Sequence, residues 1–148
     1  MMYHSRRSPR LQGYDYTKEN AIFITVCVEH RRKLLGAIYN PATEGEPPQI
    51  ELSTEGKIVE RYTKTIPGID KYVIMPNHVH LIVFNREGES ISQKIRSWKI
   101  LISKEIGESI WQRSFYDHVI RDEQDYLIRW SYIDDNPAKW ASDEYYQK

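Results

Sequence analysis

The 148-residue chain has one cysteine, no excess of either charge, and no apolar run approaching the roughly 18 residues of a membrane span. Each absence excludes something. A lone Cys27 rules out a disulfide framework within the chain and fits a reducing cytoplasm. Set in an apolar run, it reads as a small buried hydrophobe. The opening MMYHSRRSPR is positively charged but has no apolar core behind it, so no secretory signal is expected. Lysine and arginine total 21, as do aspartate and glutamate, so the net field does not announce a nucleic-acid partner. Locally the balance tips. Residues 1–33 carry seven Lys/Arg against three acids, and residues 91–113 five against two. Such patches can hold phosphates, although patches of this kind are more often solvated surface.

The length suits one domain, 1–148, with a core of its own. AIFITVCV (21–28) reads as a buried strand and YNPATEGEPPQ (39–49) as a loop. Ile58, Val59, Tyr62 and Ile66 recur at helical spacing until Pro67-Gly68. DKYVIM (70–75) and HVHLIVF (78–84) form a hairpin around Pro76-Asn77. Residues 90–106 repeat apolar side chains at Ile91, Ile95, Trp98, Ile102 and Ile106, with Ser90 as N-cap. YDHVI (116–120) is a short strand, and 122–136 a last helix capped by Asp122 and stopped by Pro137. The order is β-α-β-β-α-β plus a helix. It predicts an α+β, ferredoxin-like antiparallel sheet with two helices on one face.

What stands out is MPNHVHLIV (75–83). Side chains alternate along a strand, so His78 and His80 share a face and can present nitrogens to one ion. With two helices on the opposite face, the pair is expected on the open side of the sheet. An arbitrary His-x-His more often pairs with acids or water, so the motif needs further ligands. The last helix has candidates. At about 100° per residue, Tyr126, Trp130 and Ile133 form its core stripe, with Tyr132 well off it and Asn136 one turn beyond Tyr132. Tyr132 as a nucleophile beside Asn136 as a ligand, and a surface tyrosine before a helix-ending Asn, fit this geometry equally well.

Three ordered blocks carry a resemblance: RLQGYDYTKENAIFITVCVEHRRKLLG (10–36), YVIMPNHVHLIV (72–83) and IWQRSFYDHVIRDEQDYLIRWSYIDDNPAKW (110–140). Together they resemble the single-tyrosine transposases of the HUH endonucleases, including those associated with repetitive extragenic palindromes. The resemblance implies a catalytic last helix with Tyr132 as nucleophile, in preference to Tyr116 and Tyr126. It implies Mg²⁺ or Mn²⁺ held by His78, His80 and Asn136. The partner would be single-stranded DNA with hairpins, nicked through a 5′-phosphotyrosine during transposition in the bacterial cytoplasm, at the nucleoid. Relatives act as monomers or homodimers, and no membrane is involved. Arg6, Arg7, Arg10, Arg31, Arg32, Lys33, Lys94 and Arg96 are candidates to grip the hairpin backbone. Trp98, Trp111 and Tyr116 are candidates to stack on bases, or else belong to the core.

The sequence departs from that family in its neutrality and in Asp134-Asp135, two negative charges beside the expected nucleophile. Two other readings compete. One is a domesticated, non-catalytic hairpin-binding protein. The other is a hydrolase that activates water with the histidines and a carboxylate.

Overall fold

The computed structural model describes residues 19–142, with side chains described from 20 to 140. Six strands and three α-helices follow in order: β1 (Glu19–Cys27), β2 (Gly36–Tyr39), β3 (Gln49–Leu52), α1 (Thr54–Thr63), β4 (Ile69–Met75), β5 (His78–Arg86), α2 (Ile91–Ile106), β6 (Tyr116–Ile120) and α3 (Glu123–Asp135). A 3₁₀ segment, Asn136–Ser142, continues from α3. The main sheet runs β4-β5-β1-β6, antiparallel throughout. With β2 and β3 set aside, this is the ferredoxin-like order expected from the sequence.

The helices begin where their caps dictate. Ser53, Ser90 and Asp122 each accept a backbone N–H from three residues on, satisfying one of the orphan donors of the first turn. Ser53 also donates to Leu34 O at 2.7 Å, tying α1 to the preceding loop. α-Helical bonding ends at Thr63, short of the expected Ile66, in a tighter turn where Ile66 N donates to Thr63 O at 3.1 Å. The segment read as a loop is the tip of an extra hairpin, β2-β3. Its half-exposed strands do alternate, but at four residues each they are too short to announce themselves in the sequence.

Both faces of the sheet are covered, and this corrects the expectation of an open face. On one face Ile22, Ile24, Val26, Leu81 and Val83 pack with Val59 of α1 and Ile95, Trp98 and Ile102 of α2. On the other, Ala21, Phe23, Ile82, Phe84 and Ile120 pack under Tyr126, Trp130 and Ile133, the expected core stripe of α3. The cause is in β1 and β5 themselves. Each is apolar on both faces rather than alternating, so neither side can be left in water. α3 is held down by polar contacts as well. Tyr126 donates its hydroxyl to Asp70, and the Lys71 ammonium lies 3.7 Å from the centre of the Trp130 ring and 2.8 Å from Asp134 Oδ1.

Candidate functional site

The histidine pair stands on the α3 face at the start of the central strand β5, and both residues are buried, at 0 % and 1 % exposure. A buried imidazole needs hydrogen-bond partners, and β1 and the Pro76-Asn77 turn supply them. Thr25 lies directly across from His80 in the register, its hydroxyl 2.8 Å from His80 Nδ1. Asn77 Oδ1 is 2.7 Å from His78 Nδ1. The turn itself is fixed: Val28 N donates to Asn77 O at 2.9 Å, Leu35 N to Pro76 O at 3.0 Å, and Asn77 Nδ2 to Arg31 O at 3.4 Å.

These contacts orient the rings. An amide oxygen only accepts, so His78 carries its proton on Nδ1 and turns a lone pair outward at Nε2. The two Nε2 atoms face each other at 3.1 Å. If Thr25 accepts from His80 Nδ1, two lone pairs converge, an arrangement that calls for a cation. If Thr25 donates, His80 Nε2–H closes the gap as a hydrogen bond. The two states differ by a rotation of the Thr25 hydroxyl together with the tautomer of His80, whose proton sits on Nδ1 in the first and on Nε2 in the second. The 3.1 Å spacing suits neighbouring ligands of one octahedral ion, which at about 2.1 Å from the metal and at right angles stand about 3 Å apart.

α3 and the 3₁₀ segment roof this pair. The Tyr132 ring stands edge-on to His80, centroids 5.1 Å apart at 65°, and edge-on to Phe23 at 6.0 Å. Tyr132 is 39 % exposed, so the ring touches the site while part of it meets solvent. Asn136 is helical despite the proline that follows it (φ −59°, ψ −45°) and is 3 % exposed. Its Nδ2 donates to Tyr132 O at 3.3 Å, and its buried Oδ1 has no hydrogen-bond partner among the described residues. A buried, unsatisfied amide oxygen is costly unless something is meant to meet it. Imidazole nitrogens and an amide oxygen are donors that Mg²⁺ or Mn²⁺ accepts, so by their chemistry these three residues fit the group. Among the described residues no three of His, Cys, Asp or Glu gather as a ligand cluster, although Cys27 stands across from His78.

The competing tyrosines separate by environment. Tyr126 is 1 % exposed with its hydroxyl committed to Asp70. Tyr116 is 51 % exposed and lies 6.5 Å from Phe23 across the edge strand. Asp134 pairs with Lys71, and Asp135 lies 3.9 Å from Lys139, so the two acids are met by lysines. Of the cationic candidates, Arg6, Arg7 and Arg10 lie outside the described residues. Arg31 has a positive φ of 54° in the turn after β1, and its carbonyl receives Asn77. Arg32 faces Glu108 at 3.5 Å, and Lys33 is exposed. Lys94 donates to Pro67 O and Glu89 Oε1, both at 3.0 Å, and Arg96 is exposed on α2. Trp98 and Trp111 stack on each other at 4.8 Å inside the core, and their burial leaves no face for a base.

Several contributors to the site escaped the sequence reading. Thr25 is the lone hydroxyl in AIFITVCV and Asn77 is the turn residue beside the motif; both signals were present. Trp140, stacked on His78 at 6.2 Å, gave none. Nor did Arg129, whose guanidinium lies 5.1 Å over the Phe23 ring while Phe23 in turn stacks on His80 at 5.4 Å. Asp125 holds Arg129 at 3.4 Å and His118 at 2.8 Å. Partial burial works to raise the Asp125 pKa, but hydrogen bonds from His118, the Arg121 N–H and Arg129 outweigh it and hold the carboxyl below its ordinary value.

Fold and site together define an α+β protein with a buried histidine pair on its central strand and a tyrosine helix laid across it. No protein-family model matches the chain. It is 31 % identical to an uncharacterized protein of Haemophilus influenzae over 97 % of this chain and 94 % of that one, and it belongs to that protein's family. It is also 36 % identical to the REP-associated tyrosine transposase of Escherichia coli, over 48 % of this chain and 44 % of the transposase. A solved structure of a REP-associated tyrosine transposase bound to a REP hairpin has the same fold. The TM-score is 0.63 at 24 % identity, covering 82 % of this chain and 68 % of that one.

Proposed function

We propose that this protein is a metal-dependent endonuclease and strand transferase for single-stranded DNA, cutting beside hairpins as a transposase does. The observation that carries the reading is the approach of the half-exposed Tyr132 to His80, whose Nε2 faces that of His78. The partial match to a REP-associated tyrosine transposase supports it from outside the site.

The residues divide the work. Tyr132 Oη attacks the phosphorus of a phosphodiester; a P–Oη bond forms, the P–O3′ bond breaks, and the proton lost by the phenol is balanced by the one gained at O3′. The product is a 5′-phosphotyrosine and a free 3′-OH. Attack by another 3′-OH reverses the chemistry, joins the strands and regenerates the phenol, with no external energy source. His78, His80 and Asn136 would hold Mg²⁺ or Mn²⁺, which when bound neutralises charge at the scissile phosphate. Thr25 and Asn77 orient the imidazoles, and α3 excludes water from them.

The test is incubation of the full chain with a pool of single-stranded hairpins and Mn²⁺, followed by denaturing electrophoresis. A covalent protein–DNA adduct that disappears in Tyr132→Phe is expected. Hairpin binding without any adduct would favour the non-catalytic reading. Cleavage that survives Tyr132→Phe would favour a water-using hydrolase.

A further inference from the structure

A cavity of about 440 Å³ lies on the α2 side of the sheet, between that helix and residues 113–115, within the roughly 300–1,000 Å³ of small-ligand sites. Arg96 and Lys99, on one face of α2, line it opposite Arg113, and no carboxylate does. Other cations are met by acids: Arg32 by Glu108, Arg61 by Glu105, Lys94 by Glu89, Arg129 by Asp125. The guanidiniums of Arg96 and Arg113 have no ion-pair or hydrogen-bond partner among the described residues. Lys99 has a different task. Its ammonium donates to the carbonyls of Gln112 and Arg113 at 2.9 and 3.3 Å, which fixes the far wall of the cavity. The rest of the lining is two serines, Ser92 and Ser114, and an apolar part in which Phe115 and the half-exposed Ile100 are prominent.

Two unpaired guanidiniums on facing walls and an aromatic ring, whose centre lies 5.8 Å from the Lys99 ammonium, supply the two halves of nucleotide recognition: charge for phosphate, a ring for the base. The position agrees. Phe115 packs with the α1/α2 core, and the next residue, Tyr116, starts β6 and turns to the histidine face, 6.5 Å from Phe23. β6 is the edge strand of the sheet. The cavity and the histidine site therefore lie on opposite faces of one sheet, with two consecutive aromatic residues at the β6 edge facing one each and Thr25 of β1 between Tyr116 and His80 in the register.

We infer that this cavity binds one nucleotide, its base against Phe115 and Ile100 and its phosphate between Arg96 and Arg113. Resting on the DNA reading above, the inference makes that nucleotide an unpaired one of the substrate strand, drawn around the β6 edge as the strand leaves the histidine site. An acidic peptide would use the arginines but not the ring.

The test combines binding to hairpin oligonucleotides carrying single unpaired nucleotides, read by fluorescence anisotropy across a salt series, with isoleucine methyl NMR of the full chain. The double variant Arg96→Gln/Arg113→Gln, exposed and unpaired, is expected to fold normally and to reduce the slope of log K against log salt by about one. Phe115→Ala is expected to weaken binding about tenfold. Ile95 and Ile100 methyl signals should move on adding a hairpin with an unpaired nucleotide. If wild type and both variants bind hairpins alike, the inference is overturned while the DNA reading stands. If wild type binds no hairpin but thymidine 5′-monophosphate moves those methyl signals, the nucleotide site stands for a free nucleotide and the DNA reading falls. Signals that respond to neither probe, or more strongly to a polyglutamate peptide, overturn the inference.

Discussion

The Tyr132 ring stands edge-on to the buried His80 ring, centroids 5.1 Å apart, whereas Tyr126, six residues earlier on the same helix, is locked to Asp70 beneath it. One helix thus presents two tyrosines in opposite roles. Tyr132→Phe keeps the ring contact and is expected to change stability by no more than about 0.5 kcal/mol while abolishing any DNA adduct. Tyr126→Phe leaves Asp70 short of a hydrogen bond and is expected to cost about 1–2 kcal/mol in urea unfolding, with adduct yield per folded molecule preserved. Tyr116→Phe should preserve both. An adduct lost in Tyr116→Phe and kept in Tyr132→Phe would reassign the nucleophile.

The proposed metal binding can be tested without DNA. Mn²⁺ at about 100 times its dissociation constant should stabilise the wild type by about 2.7 kcal/mol, a clear rise in Tm. His78→Gln and His80→Gln are expected to lose that rise. Equal rises in wild type and both variants would move the ion elsewhere.

Asn136 gives a sharper form of the same measurement. Its buried Oδ1 has no partner among the described residues, and its Nδ2 makes one long bond to Tyr132 O at 3.3 Å. Asn136→Ala is therefore expected to change metal-free stability by less than about 1 kcal/mol, because an unsatisfied acceptor is removed along with a modest bond. The same variant should lose most of the Mn²⁺-dependent rise in Tm. A large metal-free loss would mark Asn136 as a structural cap.

Asp125 makes the Arg129 corner sensitive to acid. Its folded pKa lies below the ordinary value because hydrogen bonds from His118, Arg121 N–H and Arg129 overcome the opposing effect of burial. A depressed carboxyl pKa contributes stability at pH values above the unfolded pKa, about 3.9, and that stability is lost as pH falls through the folded value. Urea midpoints of the wild type should therefore fall more steeply below about pH 4 than those of Asp125→Asn. Parallel acid limbs would show that Asp125 contributes nothing in the folded state.

Gly56 tests the seat of α1. A Cβ built there would stand 2.0 Å from Leu35 O, a backbone atom that cannot move aside. Gly→Ala inside a helix usually stabilises. Here Gly56→Ala is expected to destabilise by about 2 kcal/mol or more in urea unfolding. A neutral result would mean that the loop carrying Leu35 shifts freely, and with it the Pro76 carbonyl that receives Leu35 N.

Much of this protein is local and therefore legible in the chain. Helix starts at Ser90 and Asp122 follow from side-chain capping, and the ferredoxin-like strand order from the succession of elements, while the Ser53 cap of α1 emerged with the structure. The period of two in a strand puts His78 and His80 on one face, and the period of 3.6 in a helix puts Tyr126, Trp130 and Ile133 on another. Those periodicities say nothing about which surface meets which. Only the tertiary structure decided that α3 covers the histidine face, because burying the second apolar face of β1 and β5 is a condition on the whole sheet. That packing turns an exposed histidine pair into a buried one oriented by Thr25 and Asn77. It brings Tyr132, Trp140 and Arg129 to the site from positions at least 49 residues away from His80 in sequence. It also leaves Arg96 and Arg113 unpaired around one cavity, because salt-bridge partners are chosen by distance in space.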